Sequence, residues 1–217
     1  MAKIGIICGM VSEVRALGRW ADHPEIAVTV SGARPDRAEE LAGRLASDGV
    51  GLLMSWGIAG GLDPAIQSGD LLIPNRVVLP GGQELPLAAK LVAEPENLRI
   101  AGADRVIASV GQKAALANQT QAAAVDMETH RVAVVAERAN IPCLAVRAVS
   151  DPASRALPGL ASDALGEDGR PRLTQVMLGL LRRPGDLPGL VAAGVDSARA
   201  LRRLTRQADR ILSALLA

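Results

Sequence analysis

Short apolar runs, each closed by Gly, Pro, Ser or Asp, recur along most of the chain: Ile4 to Cys8, Ile26 to Val30, Val50 to Trp56, Leu71 to Val78, Arg105 to Val110 and Cys143 to Val149. Runs of that length without alternation read as strands buried on both faces. Between several of them the spacing changes to the helical period, over Arg37 to Ser47 and Ala122 to Asn140. Strands that alternate with helices predict an α/β fold, here a single domain over residues 1–217 with a mixed central sheet flanked by helices. From Pro152 the pattern changes. Pro158, Pro171, Pro184 and Pro188 punctuate Leu-rich pieces before a helix from about Val195 to Leu216, so residues 152–217 read as a helical C-terminal cap. In that last helix Leu201, Leu204, Ala208, Ile211, Leu212 and Leu215 form a stripe opposite Arg199, Arg202, Arg203, Arg206 and Arg210. Such a stripe either packs on the sheet or meets a membrane surface.

In open α/β sheets, ligands collect beyond the carboxyl ends of the strands, which makes the residues closing each run the ones to inspect. Here those residues are polar and Gly-rich. The first run ends in Gly9-Met10 with Glu13 following, the second in Ser31-Gly32, the third in Gly57-Ile58-Ala59-Gly60-Gly61 and the last in Ser150-Asp151. Four strand ends are therefore expected to converge on one pocket. Composition restricts its walls: the chain has no Phe or Tyr and only Trp20 and Trp56, so a flat ligand must be gripped mostly by aliphatic side chains.

Charge adds an exclusion. With 24 basic and 23 acidic side chains nearly cancelling, no overall field argues for nucleic acid. Cys8 and Cys143 both sit inside apolar runs and read as small buried hydrophobes rather than a disulfide pair. No run reaches spanning length and the start offers too short a run for a secretory segment, which together predict a cytoplasmic protein.

Three segments carry candidate chemistry. Gly57-x-x-Gly60-Gly61 gives a tight turn where backbone approaches a ligand, but its spacing does not match a dinucleotide fingerprint. Val125-Asp126-Met127-Glu128 stands where a helical pattern begins, so Asp126 is a helix cap and Glu128 a first-turn acid, or a carboxylate there accepts two hydrogen bonds from a vicinal diol. In Arg147-Ala148-Val149-Ser150-Asp151 the final acid is either a turn residue before Pro152 or a proton donor at a strand end.

Lys3 to Ile7 with Glu13, Ser31-Gly32, Gly57 to Leu62 with Gly69-Asp70, Val125 to Glu128 and Arg147 to Asp151 arrive in the order and approximate spacing of one family. The chain resembles the nucleoside phosphorylase and nucleosidase superfamily, in particular the methylthioadenosine and adenosylhomocysteine nucleosidases. That resemblance covers residues 1 to 151. It implies cleavage of the N-glycosidic bond of a purine nucleoside without metal or cofactor, with Asp151 protonating the purine at N7 and Glu13 positioning the attacking water. It further implies that Glu128 and Met127 hold the ribose, that Ser150 and Arg147 orient Asp151 or brace its strand, and that Ile58, Ala59, Gly60 and Ser31 contact substrate. A homodimer is also implied. The chemistry agrees: an oxocarbenium-like transition state needs an acid for the leaving group, hydrogen bonds at the sugar and a nucleophile on the opposite face.

The sequence departs from that family between Val78 and Arg105, where its aromatic 5′ segment is missing, and at Ser109 to Lys113, where the expected Asp-Ala-Phe is absent. The tail, with Gly166 to Leu173 and Leu180 to Pro184, resembles the hopanoid-associated phosphorylases, which implies adenosylhopane as substrate and a lipid-linked 5′ group near a membrane surface. Inorganic phosphate is then a candidate co-substrate, with Arg34 and Arg15 as its ligands. Against this, a carboxylate at Glu13 would repel phosphate and favours water. The competing readings are a phosphorolytic enzyme, a methylthioadenosine or adenosylhomocysteine nucleosidase, and a noncatalytic nucleoside-binding module.

Overall fold

A computed structural model of the protein describes residues 3–94, 97–157 and 187–217. Its centre is a sheet of nine strands: β1 (Ile4–Cys8), β2 (Ile26–Val30), β3 (Leu52–Gly61), β4 (Leu71–Leu72), β5 (Arg76–Val78), β6 (Glu84–Pro86), β7 (Arg99–Gly102), β8 (Ala124–Asp126) and β9 (Cys143–Asp151). The helices are α1 (Val11–Ala16), α2 (Pro35–Ser47), α3 (Val110–Thr120), α4 (Thr129–Ala139) and α5 (Leu187–Leu216). The expected mixed α/β class is what is observed.

The sheet forks at β3. Along Leu53 to Gly60, β3 runs parallel to β9, and its last residues, Gly60 and Gly61, also pair antiparallel with β8 on the other side. On its other side β3 lies parallel to β1, which lies parallel to β2. At the fork β9 carries a bulge: Ala59 faces Val149 and Gly60 faces Asp151, with Ser150 as the extra residue. A bulge re-aims side chains locally, and here consecutive residues Ser150 and Asp151 both come to line the central cavity. Side chains at Gly60 and Gly61 would crowd this point, since a Cβ on either would lie 3.2 Å from Asp151 Oδ2 or from the Asp151 carbonyl, respectively.

Each face of the sheet has its own core. On one, α2 and α4 pack Ala38, Ala42, Leu45, Val132 and Ala136 against Ile7, Leu53 and Ala145. On the other, α1 and α5 pack against Met54, Trp56, Leu144 and Val146, with Ala200, Leu204, Ala208, Ile211 and Leu212 of α5 buried there. The stripe on the last helix is thus occupied by the sheet rather than offered to a membrane. α5 also starts earlier than its periodicity predicted, and its first turns leave Leu187, Val191 and Val195 exposed. Among the described residues no helix is long and apolar enough to cross a membrane. Cys8 and Cys143 are buried free thiols; burial pushes both up, Cys143 to about 12.

Three expectations are corrected. Arg105 to Val110 is not a strand: Val110 opens α3, whose N-cap Ser109 accepts from the Gln112 N–H while the Gln112 side chain accepts from the Ser109 N–H, a capping box. The apolar character of the run reflects cavity lining by Val106 and Ile107. Ala122 to Asn140 is not one helix either, because Ala124 to Asp126 is taken into the sheet between β3 and β7 and the helix begins only at Thr129. Leu71 to Val78 divides into β4 and β5, the first paired with β9 and the second with β6 and β7. The tail segments Gly166 to Leu173 and Leu180 to Pro184 lie outside the described residues.

Candidate active site

The strand ends open on a cavity of about 590 Å³. Its lining is of two kinds. Glu13, Asp126, Glu128 and Asp151 supply carboxylates, and Val106, Ile107 and Leu157 together with Leu190, Ala193 and Leu201 of α5 supply apolar side chains. Neither tryptophan lines it, so a flat ligand there meets aliphatic walls.

Glu13 sits in the first turn of α1 and is buried. Its carboxylate accepts the N–H groups of Gly9 (2.7 Å), Met10 (2.9 Å) and, across the sheet, Ile58 (2.8 Å). Burial raises its affinity for a proton above the ordinary carboxylate value, against the pull of Arg147 and of these three donors. Glu128, at the N-cap of α4, is likewise buried and is pushed up to about 8, first by burial and then, against the opposing Arg147 charge, by the Asp126 and Glu13 carboxylates.

Arg147 is the cation of this cluster. It projects from β9, is 1 % exposed, and donates to Asp126 through Nε (2.7 Å) and Nη2, and to Ser55 Oγ (2.5 Å) through Nη2, with Glu128 Oε2 at 3.6 Å. Burial works against its charge, but Asp126, Glu128 and Glu13 outweigh it and hold the guanidinium above its ordinary value. Arg147 therefore braces the carboxylates of the β8 and α1 ends, and the residue that hydrogen-bonds Asp151 from within β9 is Ser150, whose Oγ lies 2.6 Å from Asp151 Oδ1. Asp126 accepts the N–H and hydroxyl of Thr129 at the start of α4, the capping contact, while pairing with Arg147. Gly57 is required where it stands, because a Cβ there would lie 2.5 Å from Glu13 Oε1 and 2.7 Å from Arg147 Nη1.

The structure brings Glu13, Ile58, Ala59, Gly60, Met127, Glu128, Ser150 and Asp151 onto one cavity. It leaves three candidates off the lining. Ser31 is completely buried with no hydrogen-bond partner for its hydroxyl among the described residues, Arg15 is exposed on α1, and Arg34 forms an exposed ion pair with Asp36. Two residues not foreseen from the sequence come in. Arg105 lines the cavity, and Lys113, 1 % exposed on α3, reaches Asp151 from behind it. Neither stood at the end of a predicted strand; the Ser109-x-x-Gln112 cap was the available signal for the helix that presents Lys113.

Residues 83–183 match the model of the Phosphorylase superfamily. No curated protein matches the chain. Solved structures similar along the whole length include futalosine hydrolase of Helicobacter pylori, 16% identical with a TM-score of 0.70 over 99% of this chain and 97% of that one. The 5′-methylthioadenosine/S-adenosylhomocysteine nucleosidase from Helicobacter pylori with butyl-thio-DADMe-Immucillin-A is 17% identical, with a TM-score of 0.70 over 100% of this chain and 98% of that one. The corresponding nucleosidase from S. pneumoniae with the transition-state inhibitor MT-ImmA is 18% identical, with a TM-score of 0.69 over 99% of both chains. At these identities the likeness is one of fold. The resemblance read from the motifs of residues 1 to 151 and the family match over 83–183 meet in the same superfamily.

Proposed function

We propose that this chain is a nucleosidase that hydrolyses the N-glycosidic bond of a 5′-modified adenosine and releases adenine. One observation carries the reading: a single cavity lined both by four carboxylates, Glu13, Asp126, Glu128 and Asp151, and by aliphatic side chains, several from α5. In this reading Asp151 serves the leaving base, with Ser150 fixing its carboxylate, and Glu128 and Met127 hold the ribose. Glu13, aligned by three backbone donors, positions water on the opposite face of the sugar. Water is preferred to phosphate because Glu13 and Glu128 face the cavity while Arg15 and Arg34 lie off its lining.

In this reading the 5′ group lies against the aliphatic part of the lining, where Leu190, Ala193 and Leu201 suit a large apolar substituent such as the polycyclic hydrocarbon of adenosylhopane. A homodimer and a cytoplasmic location, with access to lipid-borne substrate from the membrane surface, complete the proposal. The test is product analysis of a series of 5′-modified adenosines with and without phosphate. Adenine and free sugar should form at a rate independent of phosphate and fastest for the bulky apolar 5′ group. Methylthioadenosine cleaved as fast as adenosylhopane would remove the lipid assignment, and ribose 1-phosphate products would replace hydrolysis by phosphorolysis.

A further inference from the structure

The Lys113 ammonium is fully committed. Its three N–H donors have three acceptors: Asp151 Oδ2 at 2.5 Å, the Pro152 carbonyl at 2.9 Å and the Arg155 carbonyl at 3.0 Å. A neutral amine, with two donors, would leave one of these buried oxygens unserved. The partner carboxylate accepts from Lys113 on Oδ2 and from Ser150 on Oδ1. Both carboxylate oxygens of Asp151 therefore face buried donors, and Asp151 is the acidic group of the cavity beside the fork of β3, against Gly60. Lys113 does not touch the cavity; it lies behind Asp151, and it is the one charged residue of α3.

We propose that Lys113 is the positioning residue and proton reservoir for leaving-group departure, acting through Asp151. The inference rests on the nucleosidase reading above. As the C1′–N9 bond breaks and its electron pair moves into the base, a proton passes from Nζ to the Asp151 carboxylate and from that carboxylate to the base nitrogen, leaving Lys113 a neutral amine. The attacking water forms the C1′–O bond and gives up its proton to Glu13. Glu13 releases that proton to solvent, and one from solvent reaches Lys113 by way of the Asp151 carboxylate, which lines the cavity, so each turnover consumes one water and leaves all three side chains as they began. The same pair would also tie the Pro152 to Arg155 turn to α3, a purely architectural role that the experiment must separate from proton supply.

The separation uses two substrates with the same 5′ group, the adenine nucleoside and a p-nitrophenyl riboside, whose phenolate leaves without needing a proton. Lys113→Met and Lys113→Arg are compared with the parent enzyme. Arginine keeps the positive charge and the donors but does not give up a proton near neutral pH. Both variants should lose adenine release by about 10²-fold or more while p-nitrophenolate release stays within a few-fold. If Lys113→Arg keeps the parent ratio of the two rates, or if both rates fall together, Lys113 is architectural and the proposal is overturned. Should Lys113→Met fail to fold, Lys113→Arg decides alone. A parent enzyme that releases adenine from no nucleoside sinks the nucleosidase reading itself, a result distinct from either outcome for the variants.

Discussion

The two charged ends of the cavity are built on opposite principles. At the α1 and β8 end one guanidinium, Arg147, is surrounded by three buried carboxylates, Glu13, Asp126 and Glu128. At the β9 end one ammonium, Lys113, faces one carboxylate, Asp151. In the first arrangement burial, and after it the neighbouring carboxylates, push Glu128 up to about 8 against the Arg147 charge, and burial raises Glu13 as well. The second is matched pairwise, one ammonium donating to one carboxylate.

The comparison can be broken most severely at Asp151. Asp151→Asn should lower kcat for adenine release by about 10²–10⁴-fold, and because it leaves the buried Lys113 ammonium without its counter-charge the melting temperature should fall too, so steady-state rates are read at a temperature where thermal unfolding shows the variant folded. At the opposite end Arg147→Met removes the sole cation from three buried acids, and chemical denaturation should register a loss of about 3–5 kcal/mol. Gly57→Ala drives a methyl between Glu13 and Arg147 and should cost roughly 1–3 kcal/mol by the same measurement.

A pH dependence sharpens the contrast. Because the folded-state value of Glu128 is raised from 4.5 to about 8, the folded protein binds its proton more tightly than the unfolded chain does. That contribution to stability is fully present below 4.5 and is lost as pH rises through about 8. Glu13, raised for the same first cause, acts with the same sign. Urea midpoints measured across that window should fall with pH, and Glu128→Gln should flatten the slope; an unchanged slope would detach Glu128 from the charge imbalance.

Much of this frame could be read in the chain before any coordinates. β1, β2, α2 and the body of β9 follow from uninterrupted apolar runs and helical spacing, because each is long enough to carry a period and is closed by a polar or Gly residue. β8 escaped because three residues cannot display a period and the helix that follows masked it. α3 escaped because its Ala-rich surface has little amphipathic contrast, so only its cap announced it. Among the site residues, Glu13 and Asp151 stand at strand ends and could be found by position. The Lys113–Asp151 contact joins residues 38 apart through two elements of which one was misread, and no local pattern encodes it. Arg147 was visible as a charge inside an apolar strand, but its partner was not, since that depends on β3 lying between β9 and β8.

The near absence of aromatic residues also has an optical side. Trp20 donates its indole N–H to Asp209 of α5 and lies against Arg19, whereas Trp56 is wholly buried in β3 one residue before Gly57, its indole N–H without a partner. With no tyrosine in the chain, the intrinsic ultraviolet emission comes from two indoles with separate allegiances. One reports how firmly the last helix is seated, and the other reports the strand on which the two charged ends of the cavity are hung.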